Sequence, residues 1–111
     1  AKLGKFLAKA IKSDEGIAVI ASIDFSHYLD TDTANRMDEI TLQAIKSRDT
    51  LAIIKMNNDN LDSPPSILSL LSVMDEMDAK GPDVIGHNNS YGITGISADY
   101  TTSYYTMLFR R

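Results

Sequence analysis

The chain has 111 residues, a formal net charge of −4 and an apolar fraction of 43%, which fits one domain or a part of a larger one. That acidic balance lacks the basic stripe by which duplex nucleic acid or an anionic membrane surface is usually held, so neither is expected as a partner. The absence of cysteine excludes disulfides and thiolate metal ligands and fits a reducing, cytoplasmic setting.

No apolar run approaches the ~20 residues of a membrane-spanning helix, and no secretory pattern opens the chain. The sequence starts at Ala1 and enters a helical pattern at once, as a piece of a longer protein would. Over residues 2–12, Leu3, Phe6, Leu7, Ala10 and Ile11 fall at helical spacing, with Lys2, Lys5, Lys9 and Lys12 on the wet side. Gly4 weakens this helix slightly. After a turn at residues 13–16, the run Ile17-Ala18-Val19-Ile20-Ala21-Ser22 reads as a strand buried on both faces, as in the middle of an α/β sheet.

Residues 32–47 read as a helix with Ala34, Met37, Ile40, Ala44 and Ile45 inward, capped by Thr31 or Asp32. A shorter helix is expected at 49–56, with Asp49 as its cap. Asn57-Asn58-Asp59-Asn60 ends it, because such side chains compete for backbone hydrogen bonds. Ser63-Pro64-Pro65 then opens a helix over 63–79, with Ser63 at the cap and Pro64 at the first helical position, where its missing N–H costs nothing. Its stripe is Ile67, Leu68, Leu71, Met74 and Met77, and Gly81-Pro82 stops it. Residues 83–88 read as a strand, 91–100 as a loop, and 102–109 as a final β-branched and aromatic strand. The fold class expected is α/β, a partial sheet of about three strands flanked by helices.

Three places carry chemistry. Asp24, Ser26 and His27 follow the apolar run, where ligands bind in open α/β sheets. On composition alone, Asp24 and Ser26 serve as turn and cap residues and His27 as a structural histidine. Asp62 precedes a helix N-terminus, where a carboxylate is stabilised whether it caps or holds a cation. His87, Asn88, Asn89 and Ser90 end a strand, and His87 there reads first as an edge-strand histidine. Hydrolysis by Ser26 or Ser63 finds little support, since no Gly-x-Ser-x-Gly elbow is present.

The stretch Asp24-Phe25-Ser26-His27-Tyr28 resembles the signature of Memo-family proteins, the group often labelled AmmeMemoRadiSam system protein B. Ile23 departs from the usual serine. The likeness runs from about residue 3 to residue 109 and includes the closing Ser103-Tyr104 strand. It implies that residues 1–111 form the carboxy-terminal part of a single Memo-like domain, related in fold to class III extradiol dioxygenases. Those enzymes hold Fe(II) through two histidines and a carboxylate, with open positions for substrate and dioxygen.

Asp62 falls where many relatives carry a cysteine, and so corresponds to a metal ligand. His27 corresponds to a histidine that moves protons behind the metal, held by Asp24 or Tyr28. Ser26, Tyr28 and Asn89 would face the substrate. The two histidine ligands would lie outside these residues, so this piece alone would be inactive. The metal expected is Fe(II) or another divalent ion. The whole protein would be an oxidoreductase on an unknown small molecule, or a non-catalytic module that holds a peptide or protein in the same cleft. The family label also implies a functional link to a radical S-adenosylmethionine protein.

Overall fold

A computed structural model describes residues 2–111. The elements run α1 (Lys2–Ser13), β1 (His27–Leu29), α2 (Thr31–Lys46), α3 (Thr50–Ile54), α4 (Pro64–Glu76), β2 (Lys80–Asn89), α5 (Ser90–Thr94) and β3 (Thr101–Arg110). The fold is mixed α/β. The three strands form one open antiparallel sheet in the order β1-β3-β2.

The first difference from the sequence reading lies at residues 17–22. They form no strand. An apolar run becomes a strand only when a neighbour satisfies its backbone, and no described segment pairs with this one. The strand that does form, β1, is three residues long and irregular. Its register against β3 shifts between His27 and Leu29, and Tyr28 sits at φ 58°. A left-handed residue at a bulge turns its neighbours' side chains to new directions, which is how short irregular strands aim functional groups.

The helices follow their sequence signals with shifts in detail. Asp30, and neither Thr31 nor Asp32, caps α2, its side chain accepting from the Thr33 N–H. Asp49 caps α3 as expected, accepting from the Ala52 N–H. Ser63 holds the cap position of α4, but its hydroxyl pairs with Ser66 Oγ at 2.6 Å instead of with the backbone. The helix ends at Glu76, with Asp78 at φ 52°, while Gly81 and Pro82 belong to β2. The short helix α5 takes up Ser90 and the first four residues of the loop expected at 91–100.

Two faces also differ from the spacing argument. α1 buries Gly4, Ala8 and Ile11 and leaves Leu3 and Phe6 exposed. α2 buries Asp38, Thr41 and Leu42 beside Ala34, Ala44 and Ile45, while Ile40 is exposed. The main core joins Phe25, Ala44, Ile45, Ile53, Leu61, Ile67 and Leu71. A second cluster packs Ala8 and Ile11 of α1 on Val73 and Met74 of α4. Phe25 anchors the segment between the apolar run and β1, with its ring edge-on to Tyr105 at 4.7 Å. Burying a ring of that size contributes about 2–3 kcal/mol and fixes the residues on either side of it.

Candidate metal centre

Asp24, His27 and Asp62 converge. One ligand atom from each lies within 4.8 Å of the others. Backbone pairing produces this: the Asp62 N–H donates to the Asp24 carbonyl at 3.1 Å, and the Asp24 N–H donates to Asp62 Oδ1 at 3.2 Å. The two aspartates therefore clasp each other across the start of α4. The His27 N–H donates to the Asn58 carbonyl at 2.9 Å, which ties β1 to the turn before Asp62.

The imidazole of His27 has one fixed end. Nδ1 lies 2.6 Å from the Phe25 carbonyl, and a carbonyl only accepts, so Nδ1 carries a proton. Nε2 then faces Asp24 Oδ2 at 3.5 Å. A bare lone pair against a carboxylate is repulsive. The pair is satisfied either by a second proton, giving an imidazolium, or by a cation among the three side chains. A metal-bound histidine commonly donates its other N–H to a carbonyl in this way. Asp62 is exposed while Asp24 and His27 are half-buried, so the group opens to solvent on one side.

Of the remaining candidates, Ser26 and Asn89 are engaged elsewhere, and Tyr28 stands beside the group. Ser26 is fully buried. Its Oγ bonds Asp38 Oδ1 of α2 at 2.8 Å and Ser103 Oγ of β3 at 2.9 Å. Tyr28 is 71% exposed and stands edge-on to His27 at 5.8 Å. Asn89 caps α5, its Oδ1 accepting from the Gly92 N–H at 2.8 Å.

The sequence reading missed a second histidine–carboxylate pair. His87 Nε2 lies 2.7 Å from Asp38 Oδ2, and its ring stacks on Tyr105 at 4.1 Å. Asp38 is fully buried. The available signal was a carboxylate four residues after Ala34 on the inward stripe of α2, where a lone charge demands a partner.

This geometry is that of a mixed α/β unit whose strand-end and helix-start residues gather one imidazole and two carboxylates. A family model described as Memo-like protein matches residues 1–108, and the chain belongs to that family. It is 25% identical to a MEMO1 family protein of Methanococcus maripaludis strain C5 over 96 residues, covering 83% of this chain and 34% of the relative. A MEMO1 family protein of strain C6 of that organism is 26% identical over the same share of each chain. The chain thus spans about a third of the length of the curated relatives it matches. No solved structure matches it. Among the described residues, no helix is long and apolar enough to cross a membrane.

Proposed function

We propose that this chain forms the carboxy-terminal part of a Memo-like domain and contributes Asp24, His27 and Asp62 to a divalent-metal site. The observation that carries the reading is the convergence of the three ligand atoms within 4.8 Å, with His27 Nδ1 committed to a carbonyl and Nε2 turned inward. The donors fit a cation of intermediate hardness. Two carboxylates and an imidazole suit Fe(II), Mn(II) or Zn(II) better than Cu(I). Two opposed bonds of about 2.0–2.2 Å span ~4.4 Å, close to the bound within which the three ligand atoms lie, so a small adjustment brings them onto one ion. Asp62, the exposed member, has the freedom to do so.

When bound, such a metal supplies Lewis acidity and open positions for a small molecule. The chain's own residues would hold it: the Asp24 N–H braces the Asp62 carboxylate, and the Phe25 carbonyl orients the imidazole. Tyr28, exposed beside His27, is suited to contact what binds there. In the oxidoreductase form of the reading, related to class III extradiol dioxygenases, further histidine ligands come from the two thirds of the Memo-like length that this chain does not span. A link to a radical S-adenosylmethionine protein belongs to the same reading.

The 3.5 Å approach of His27 to Asp24 favours a second arrangement, in which His27 carries a proton beside a metal held by Asp62 and groups outside this chain. Calorimetric titration of Mn(II) and Zn(II) separates the two. With three donors from this chain, the 111-residue protein binds Zn(II) weakly, and both His27→Gln and Asp62→Asn lower that affinity, by roughly 10-fold or more. If only Asp62→Asn lowers it, His27 is the proton carrier. No binding here or in a longer Memo-like polypeptide would leave the peptide-holding module as the better account.

A further inference from the structure

Ser26 lies between two members of the metal group, Asp24 and His27, and successive peptide groups around it are held in different ways. The Asp24–Phe25 peptide is held at both ends by backbone. Its carbonyl accepts from the Asp62 N–H at 3.1 Å, and its N–H donates to the Ser103 carbonyl at 2.9 Å. The Ser26–His27 peptide is held likewise. Its carbonyl accepts from the Ser103 N–H, and its N–H donates to the Asn58 carbonyl, both at 2.9 Å. The Phe25–Ser26 peptide between them has side-chain partners instead. Its N–H reaches Asp38 Oδ1 at 3.4 Å, and its carbonyl takes His27 Nδ1 at 2.6 Å.

A peptide group is planar and trans, so its N–H and C=O point in opposite directions. Whatever holds the N–H on one side aims the carbonyl on the other. Asp38 is itself held fast. The Ser26 hydroxyl donates to the same Oδ1 at 2.8 Å, and His87 Nε2 occupies Oδ2 at 2.7 Å. The side chain is fully buried on α2. A carboxylate only accepts, so His87 carries its proton on Nε2. The two histidines of the chain are thus held in opposite forms, one at each end of a link made of Asp38 and one peptide group.

We propose that Asp38 is a positioning residue for His27: by fixing the N–H of the Phe25–Ser26 peptide, it aims the Phe25 carbonyl at Nδ1 and commits Nε2 to the space shared with Asp24 and Asp62. The use of that commitment rests on the metal-site reading, whereas the link itself rests on the hydrogen bonds. His87, on the far side of Asp38, keeps the carboxylate from turning. Groups that orient a ligating histidine govern metal affinity although they touch no metal.

Nitrogen NMR of the imidazole-labelled protein tests this, without metal and with each ring holding a single proton. The parent should show its two histidines as opposite tautomers, His27 protonated at Nδ1 and His87 at Nε2. Asp38→Ala should turn His27 into a mixture of both tautomers. Asp38→Asn, which keeps an oxygen for the Ser26 N–H, should restore the single form. Should Asp38→Ala not fold, Asp38→Leu combined with His87→Phe removes both members of the pair, leaves neither unmatched, and should give the same mixture. Zn(II) affinity, measured by calorimetry, should fall about 10-fold or more with the tautomer change and recover in Asp38→Asn. A parent His27 with its proton on Nε2 would overturn the proposal, as would an unchanged Nδ1–H form in a folded variant without an acceptor at position 38. Affinity lost while the tautomer stays put would overturn it too, since Asp38 would then support only the fold. The predicted tautomer change in a protein that binds no Zn(II) would uphold the positioning of His27 and sink the metal-site reading instead.

Discussion

Asp38 is the only charged side chain in the buried set among the described residues. It persists because it is satisfied on both oxygens: Ser26 Oγ and, more distantly, the Ser26 N–H reach Oδ1, and His87 Nε2 reaches Oδ2. A buried carboxylate left short of a partner costs far more than a made hydrogen bond contributes. We expect His87→Ala to destabilise the protein by about 1–3 kcal/mol, the His87 side chain being 30% exposed and water partly replacing it. Asp38→Ala should cost about 2–4 kcal/mol, and the double variant less than the sum. Urea denaturation of the three variants checks this, and additive losses would show that the pair is not coupled.

Tyr105 shares that neighbourhood. Burial first, then the charges of Asp38 and Glu39, raise its phenol from 10.0 to about 12. A raised value means that the folded state holds the proton more tightly than the unfolded chain does. The associated stability is present below pH 10 and is lost as pH rises towards 12. We expect one of the five tyrosines to ionise late in an absorbance titration, and Tyr105→Phe to remove that late component. It should also flatten the loss of stability between pH 10 and 12.

At the scale of elements, the α1–α4 contact turns on Gly4. A Cβ built there would overlap Ser72 Oγ and approach Ser72 Cβ to 2.6 Å. Glycine lets the two helices approach closely, which accounts for the inward face Gly4, Ala8 and Ile11. Gly4→Ala should therefore lower the melting temperature even though alanine favours an isolated helix by about 1 kcal/mol. A rise in melting temperature would show that the contact yields without cost.

The sequence made such elements legible to different degrees. α2, α4, β2 and β3 were readable because periodicity and β-branched runs are local signals, although the cap of α2 is Asp30 and the Ser63 side chain makes no capping bond. The face of α1 was not, since Leu3 and Phe6 obey the helical period yet remain exposed; a glycine's role in close approach depends on the facing helix. Residues 17–22 carry a strand's composition without its hydrogen-bonded partner. β1 carries the partner without the composition. Asp24, His27 and Asp62 were singled out from chain position and family likeness, but the hydrogen bonds that clasp Asp24 to Asp62 and tie His27 to Asn58 have no sequence signature. The His87–Asp38 pair spans α2 and β2 and was hidden for the same reason.

At the scale of the whole molecule, the chain is more extended than a compact domain of its length. Its radius of gyration is 14.8 Å, against about 13 Å expected for that length. The two apolar clusters meet chiefly through Phe109, which packs against both. Above its ring lies the Arg48 guanidinium, 5.4 Å from the centroid. Arg48 also pairs with Asp75 of α4 at 3.0 Å and donates to the carbonyls of Ile45 and Gly81. This one hub thus links α2, α4 and the sheet. Phe109→Ala should cost about 2–3 kcal/mol, at the low end for a phenylalanine because the ring is only half-buried. Its more telling effect should be loss of cooperativity. With the hub removed, α1 can open while the core around Phe25 and Ile45, to which α4 contributes Ile67 and Leu71, stays closed, since separate clusters unfold as separate units when little joins them. Hydrogen exchange in mild urea reads this directly. Amides of α1 should lose protection ahead of those of α2 in the variant, whereas the parent protein should release both together. Equal release in the variant would show that the clusters are joined by more than Phe109.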